Sequence, residues 1–99
     1  MREYVPLVVP LMIGNVLFNG THGVSKSWGE AARWYRKSAK QGNDNAQYCL
    51  ADMLMSGKGI PQDQTEAALW IRRSTDQGHA QAQHKLGIMH MHGWGVQRE

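Results

Sequence analysis

The sequence lacks the usual marks of several protein classes. It holds a single cysteine, Cys49, so no disulfide can close within the chain and the fold does not need an oxidising compartment. Cys49 itself reads as a small residue on a helix. The most apolar stretch, Val5–Phe18, is too short to cross a bilayer and is interrupted by Pro6 and Pro10. No serine is followed by lysine three residues on, and H-E-x-x-H and a phosphate-binding glycine loop are both missing. His84, His90 and His92 have neither a carboxylate nor a cysteine at metal-ligand spacing, and His90 and His92 diverge by about 200° on a helix. No metal, cofactor or catalytic residue is therefore assigned. Neither a linker nor a second domain is visible in 99 residues, so one domain over 1–99 is expected.

What the chain does have is a repeat. Gly23–Ile60 laid over Gly59–Val96, an offset of 36 residues, matches at sixteen of 38 positions without a gap. Unrelated windows share about one position in fifteen to twenty. The matches include Glu30/Glu66, Ala31/Ala67, Ala32/Ala68, Trp34/Trp70, Arg36/Arg72, Leu50/Leu86, Met53/Met89 and Met55/Met91. A short internal period of this kind means helical hairpins stacked into a solenoid.

The punctuation supports helices. Apolar residues fall at helical spacing, as in Ala46, Leu50, Met53 and Leu54, and again in Ala67, Leu69, Trp70, Ile71 and Ser74. Gly42 and Gly78 stand where a left-handed residue closes a helix, followed by Asn43, a good N-cap, and His79, a poorer one. Asp63-Gln64-Thr65-Glu66 reads as a capping box, and Ser27-Trp28-Gly29-Glu30 stands one period earlier. Calling the first helix of each hairpin A and the second B, the spacing predicts A1 near 9–19, B1 at 28–41, A2 at 44–56, B2 at 64–77 and A3 at 80–92. Pro10 suggests a late start for A1. Each segment is too short to stand alone in water and must pack on its neighbours. Trp34 and Trp70 are expected to fill the space between hairpins, with Ile60 and its copies plugging the gap within them.

The residues Ala46, Leu50-Ala51, Gly57-Lys58-Gly59-Ile60, Asp63, Ala67, Trp70-Ile71, Gln77-Gly78-His79 and Ala82-Gln83 follow, in order and spacing, the pattern of the Sel-one-like repeat. The chain resembles that family, a relative of the tetratricopeptide repeat, from about Ile13-Gly14 to Val96. The resemblance implies an all-α, right-handed α/α superhelix of antiparallel hairpins, with approximate repeats at 9–42, 43–78 and 79–99, the last truncated. Departures are a first turn widened to Gly20-Thr21-His22-Gly23-Val24, Ser27 in place of aspartate, and Leu17, Leu54 and His90 at the usual tyrosine position. The sequence stops where helix B3 is due, which leaves uncovered a face of A3 that includes some of Leu86, Met89 and Met91; either a longer array or self-association through this uncapped helix is expected.

Three function classes remain, at unequal weight. The resemblance implies a non-enzymatic adaptor or scaffold that holds a peptide or partner protein in a concave groove lined by A helices. With Ala46, Leu50 and Met53 turned inward, the outward set is Tyr48, Asp52 and Met55 on A2 and His84, Ile88 and His92 on A3, with Tyr48 the leading anchor. The second class rests on Arg33, Arg36, Lys37 and Lys40, one face of B1, which suit nucleic acid or an acidic partner. Cations near a helix C-terminus also serve the helix dipole and solubility, and the stripe has no aromatic for base stacking if Trp34 lies in the core. The third is a β-lactam-binding enzyme like the cysteine-rich relatives, which carry paired cysteines that this chain lacks. The apolar start of the chain reads as helix A1 in preference to a signal peptide, so a cytoplasmic location is favoured over a secreted or periplasmic one. Asn19-Gly20-Thr21, formally a glycosylation sequon, is explained by its turn.

Overall fold

The structure, a computed structural model, describes residues 8–20 and 27–95, with side chains from residue 10 onward. Among them lie five helices in chain order: α1 (Val8–Asn19), α2 (Trp28–Lys40), α3 (Asp44–Ser56), α4 (Gln64–Asp76) and α5 (Ala80–His92). They correspond to A1, B1, A2, B2 and A3, with ends within one residue of those read from the sequence. Val24, Val96 and the sequon's Thr21 lie outside the described residues. Pro10 does not delay α1: it sits in the first turn, where its missing N–H has no helical partner to lose.

Capping explains where the helices begin. The side chains of Ser27, Asn43, Asp63 and His79 each accept a hydrogen bond from the backbone N–H three residues on, at 3.4, 2.9, 3.0 and 3.1 Å. His79 thus does the work of Asn43 one period later, through Nδ1. The capping box at Asp63 is only half formed. Glu66 sends its carboxylate away from the cap, to Arg36 and to the Trp70 indole, while the Asp63 N–H donates to the Leu54 carbonyl.

Each helix packs mainly on its neighbours in sequence: α1 on α2, α2 on α3, α3 on α4, and α4 on α5. That is the contact pattern of a solenoid. The core is a ribbon of Ala31, Ala32, Tyr35 and Ala39 from α2, Ala46, Leu50, Ala51, Met53 and Leu54 from α3, Ala67, Ala68, Trp70 and Ile71 from α4, and Ala82 and Met89 from α5. Ile60 is partly buried against it, as a plug should be. Leu69, read as part of the apolar pattern of α4, instead points outward and is 57% exposed.

Small residues set the helix spacing. On α1, a Cβ added to Gly14 would lie 2.8 Å from the Tyr35 ring, and its counterpart on α3, Ala51, is fully buried. Gly59, in a left-handed turn at φ +73°, brings its backbone against the start of α2, where an added Cβ would come within 2.4 Å of the Trp28 carbonyl carbon. Gly95 does the same against Gln64 of α4. The second glycine of each G-x-G turn is thus a contact between consecutive hairpins as well as a chain reversal.

Candidate functional site

Two surfaces carry chemistry-bearing side chains. The first lies where α3 and α5 run side by side. Tyr48, Ala80, Gln81, His84, Lys85 and Ile88 line a shallow groove of about 380 Å³. The cap on α5 shapes its end: His79 stacks on the Tyr48 ring at 5.1 Å between centroids, and its Nε2 lies 2.8 Å from Asn45 Oδ1. One imidazole therefore caps α5, holds the orientation of Tyr48 and ties the two helices together. Lys85 reaches back across the groove to Asp52 at 3.3 Å.

Of the six residues expected to face a partner, Tyr48, His84 and Ile88 meet in this groove, and Asp52 borders it through Lys85. The other two do not. Met55 is partly buried against the core, and His92 stacks on Trp94 at 4.4 Å, at the far end of α5. Lys85, Gln81 and the His79–Tyr48 stack were missed by sequence reasoning, although the A2 and A3 positions around them were singled out. Among the described residues no group of three or more His, Cys, Asp or Glu could hold a metal ion, and no helix is long and apolar enough to cross a membrane.

The second surface is the outside of α2, where Arg33, Trp34, Arg36, Lys37 and Lys40 line an open depression of about 510 Å³. Here the structure corrects the expectation for Trp34. Its repeat partner Trp70 is only 6% exposed, enclosed in the seam between α2 and α4. There Trp70 donates its indole N–H to Glu66 at 3.0 Å, Arg36 of α2 reaches the same carboxylate oxygen at 2.6 Å, and Arg73 covers the ring at 4.8 Å. The Arg36 guanidinium, with the indole N–H assisting and burial opposing, holds the Glu66 carboxyl below its usual range. Among the described residues no helix lies on the opposite side of α2, so Trp34 stays half-buried with the Lys37 ammonium 5.0 Å above its ring. An aromatic is present on the basic stripe after all.

On the α5 face beyond the groove, some of the three residues expected to be uncovered are so: Met91 is, while Leu86 is partly buried. Met89 is fully buried by its own neighbours, while Met91 is 67% and Trp94 37% exposed. Gly87, the counterpart of Gly14 and Ala51, has nothing within 4 Å of an added Cβ. Between α2 and α3, burial pushes the Cys49 thiol up to about 11 and raises the Tyr35 phenol well above its normal value. The phenol donates to Asn15 Oδ1 at 2.6 Å.

Three consecutive copies of the Sel1 repeat family match residues 11–43, 44–79 and 80–99. The chain belongs to the Sel1 repeat family. Two solved structures carry the same fold. A Sel1 repeat protein from Oxalobacter formigenes is 34% identical with a TM-score of 0.89, and a protective antigen present in uropathogenic Escherichia coli strains, displaying an SLR fold, is 31% identical with a TM-score of 0.90. Each similarity covers 94% of this chain, which spans 38% and 20% of those chains, respectively. No curated protein matches. Sel1 repeat proteins are generally helical-repeat modules for protein interaction and typically lack enzymatic activity.

Proposed function

We propose that this Sel1 repeat chain is an adaptor whose partner, a peptide or protein segment, docks in the groove between α3 and α5 on the concave, A-helix side. The observation that carries this reading is the convergence of Tyr48, His84 and Ile88, from two different repeats, on one groove with Lys85 and Gln81 beside them. The groove combines an aromatic ring and an aliphatic side chain with polar donors at its edge, and aromatic side chains such as Tyr48 are where protein interfaces concentrate their energy. Tyr48 is already positioned by the His79 stack, and Lys85 is paired with Asp52. A preset geometry reduces the ordering cost of binding.

The test is quantitative. A partner captured by the wild-type chain and then purified is titrated against wild type and a Tyr48→Ala/His84→Ala variant. A loss of tenfold or more, about 1.4 kcal/mol or above, is expected. Unchanged affinity would move the binding surface elsewhere. The basic outer face of α2 supports a second mode of interaction, because its half-buried Trp34 adds an apolar element to the cations.

A further inference from the structure

The outer face of α2 differs from what the repeat requires. Comparison with α4 separates the two contributions. Lys37 over Trp34 has its counterpart in Arg73 over Trp70, and Arg36 has its counterpart in Arg72. Arg33 and Lys40, by contrast, stand where α4 has Leu69 and Asp76. These two cations are an addition peculiar to α2. With Arg36 and Lys37 they oppose a single acid on the helix, Glu30, so α2 alone carries a formal charge equal to the whole chain's +3. Arg33, Lys37 and Lys40 are exposed, and among the described residues Arg36 is the one cation of the four bound to an acid, Glu66.

The molecule also shows how such a face is covered. At the internal seam, α2 lies beside Trp70 and supplies a cation, Arg36, to the acid Glu66 that stands next to this ring on α4, so complementary charge closes the seam around an indole. The face around Trp34 carries the same indole with the surrounding charge excess positive. We infer that the outer face of α2 is a second docking surface, separate from the α3–α5 groove, for an acidic helical segment of a partner protein. Its carboxylates meet Arg33, Lys37 and Lys40, and an apolar side chain rests on Trp34. The cations run from Arg33 to Lys40 over about 10 Å of helix, the length spanned by glutamates at i, i+4 and i+7 on a partner helix. Single-stranded nucleic acid fits less well, since continuous base stacking needs several exposed rings and this face offers one.

Fluorescence anisotropy with defined probes tests this. The first probe is a fluorescein-labelled, alanine-based helical peptide with glutamates at i, i+4 and i+7 and a leucine beside them. Controls are a peptide of the same composition with its glutamates scattered around the helix, and a labelled oligothymidylate. The ordered peptide is expected to bind at least about tenfold more tightly than the scattered one, to weaken as salt rises, and to shift the Trp34 indole resonance. The Arg33→Glu/Lys40→Glu variant changes only exposed side chains and should lose at least about tenfold in affinity, with unchanged helicity by circular dichroism. The neutral pair Arg33→Gln/Lys40→Gln should lose less, and Tyr48→Ala nothing. Failure of the ordered peptide to bind, equal affinity for both peptides, or full affinity in the charge-reversed variant overturns the inference. Tighter binding of the oligothymidylate also overturns it and assigns the face to nucleic acid.

Discussion

Replacing Gly59 with alanine should damage the solenoid far more than replacing Gly42, although both glycines have positive φ. At Gly42, φ is +97° and an added Cβ meets nothing within 4 Å. The cost there is conformational alone, about 1–2 kcal/mol for forcing a residue with a Cβ into the left-handed region. At Gly59, φ is +73°, so a similar term applies, but the Cβ would also lie 2.4 Å from the Trp28 carbonyl carbon and 2.6 Å from the Gly29 nitrogen. Both are backbone atoms, and no rotamer can relieve them. Ordinary contact demands that the hairpin turn move about 1 Å away from the start of α2, an overpacking strain of about 1–3 kcal/mol. The sum for Gly59→Ala is about 2–5 kcal/mol, a large part of the 5–15 kcal/mol that holds a typical domain. In a domain of this size each kcal/mol shifts the thermal midpoint by about 4–8 °C. Thermal and urea unfolding of the two variants, followed by circular dichroism at 222 nm, measures the difference directly. If Gly59→Ala is no more destabilising than Gly42→Ala, the close approach of consecutive hairpins at this turn is wrong.

Further outcomes follow from the seams and the buried groups. Trp70→Ala should cost about 3–5 kcal/mol in urea unfolding, whereas Trp34→Ala, at a half-buried position, should cost about 1 kcal/mol; equal losses would contradict the different enclosure of the two rings. The Glu66 carboxyl is held low, so its stabilising contribution is present above the unfolded value near about pH 4.3 and is lost as pH falls through the lower folded value. The stability gap between wild type and Glu66→Gln should therefore be constant at neutral pH and shrink below about pH 4, and a gap independent of pH would rule out the Arg36 contact. With its thiol pushed up to about 11, Cys49 should react with iodoacetamide at pH 8 about two orders of magnitude more slowly in the folded protein than after unfolding in urea. Comparable rates would place Cys49 in water.

The sequence made the helices legible because their boundaries depend on local chemistry. Ser27, Asn43, Asp63 and His79 bond to N–H groups three residues away, and Gly42 and Gly78 adopt the positive-φ backbone conformations their positions suggested. What the repeat could not reveal was how identical residues diverge. Trp34 and Trp70 occupy the same repeat position, yet their burial depends on whether another helix lies alongside, a property of neighbours distant in sequence. Glu66 carried the signature of a capping box, but a guanidinium and an indole N–H outbid a single backbone N–H for its carboxylate. Met53 is buried as its spacing implied and Met91 is exposed, as expected for part of the uncovered α5 face, whereas Met89 on that helix is buried and Met55, placed in the outward set, is partly buried against the core. The candidate groove was partly legible for a related reason. Helical periodicity identifies which residues leave the core, so Tyr48, His84 and Ile88, which line the groove, were singled out, but it does not show that His79 stacks on Tyr48 or that Asp52 takes Lys85.

The most direct test of the proposed adaptor role is a chemical-shift footprint of the purified partner on the isotope-labelled chain. The largest perturbations are expected at Tyr48, Gln81, His84 and Ile88, with His79 following as its ring stack is disturbed. A footprint centred instead on Met91 and Trp94, with Tyr48 and His84 unmoved, would contradict the assignment of the α3–α5 groove as the binding site.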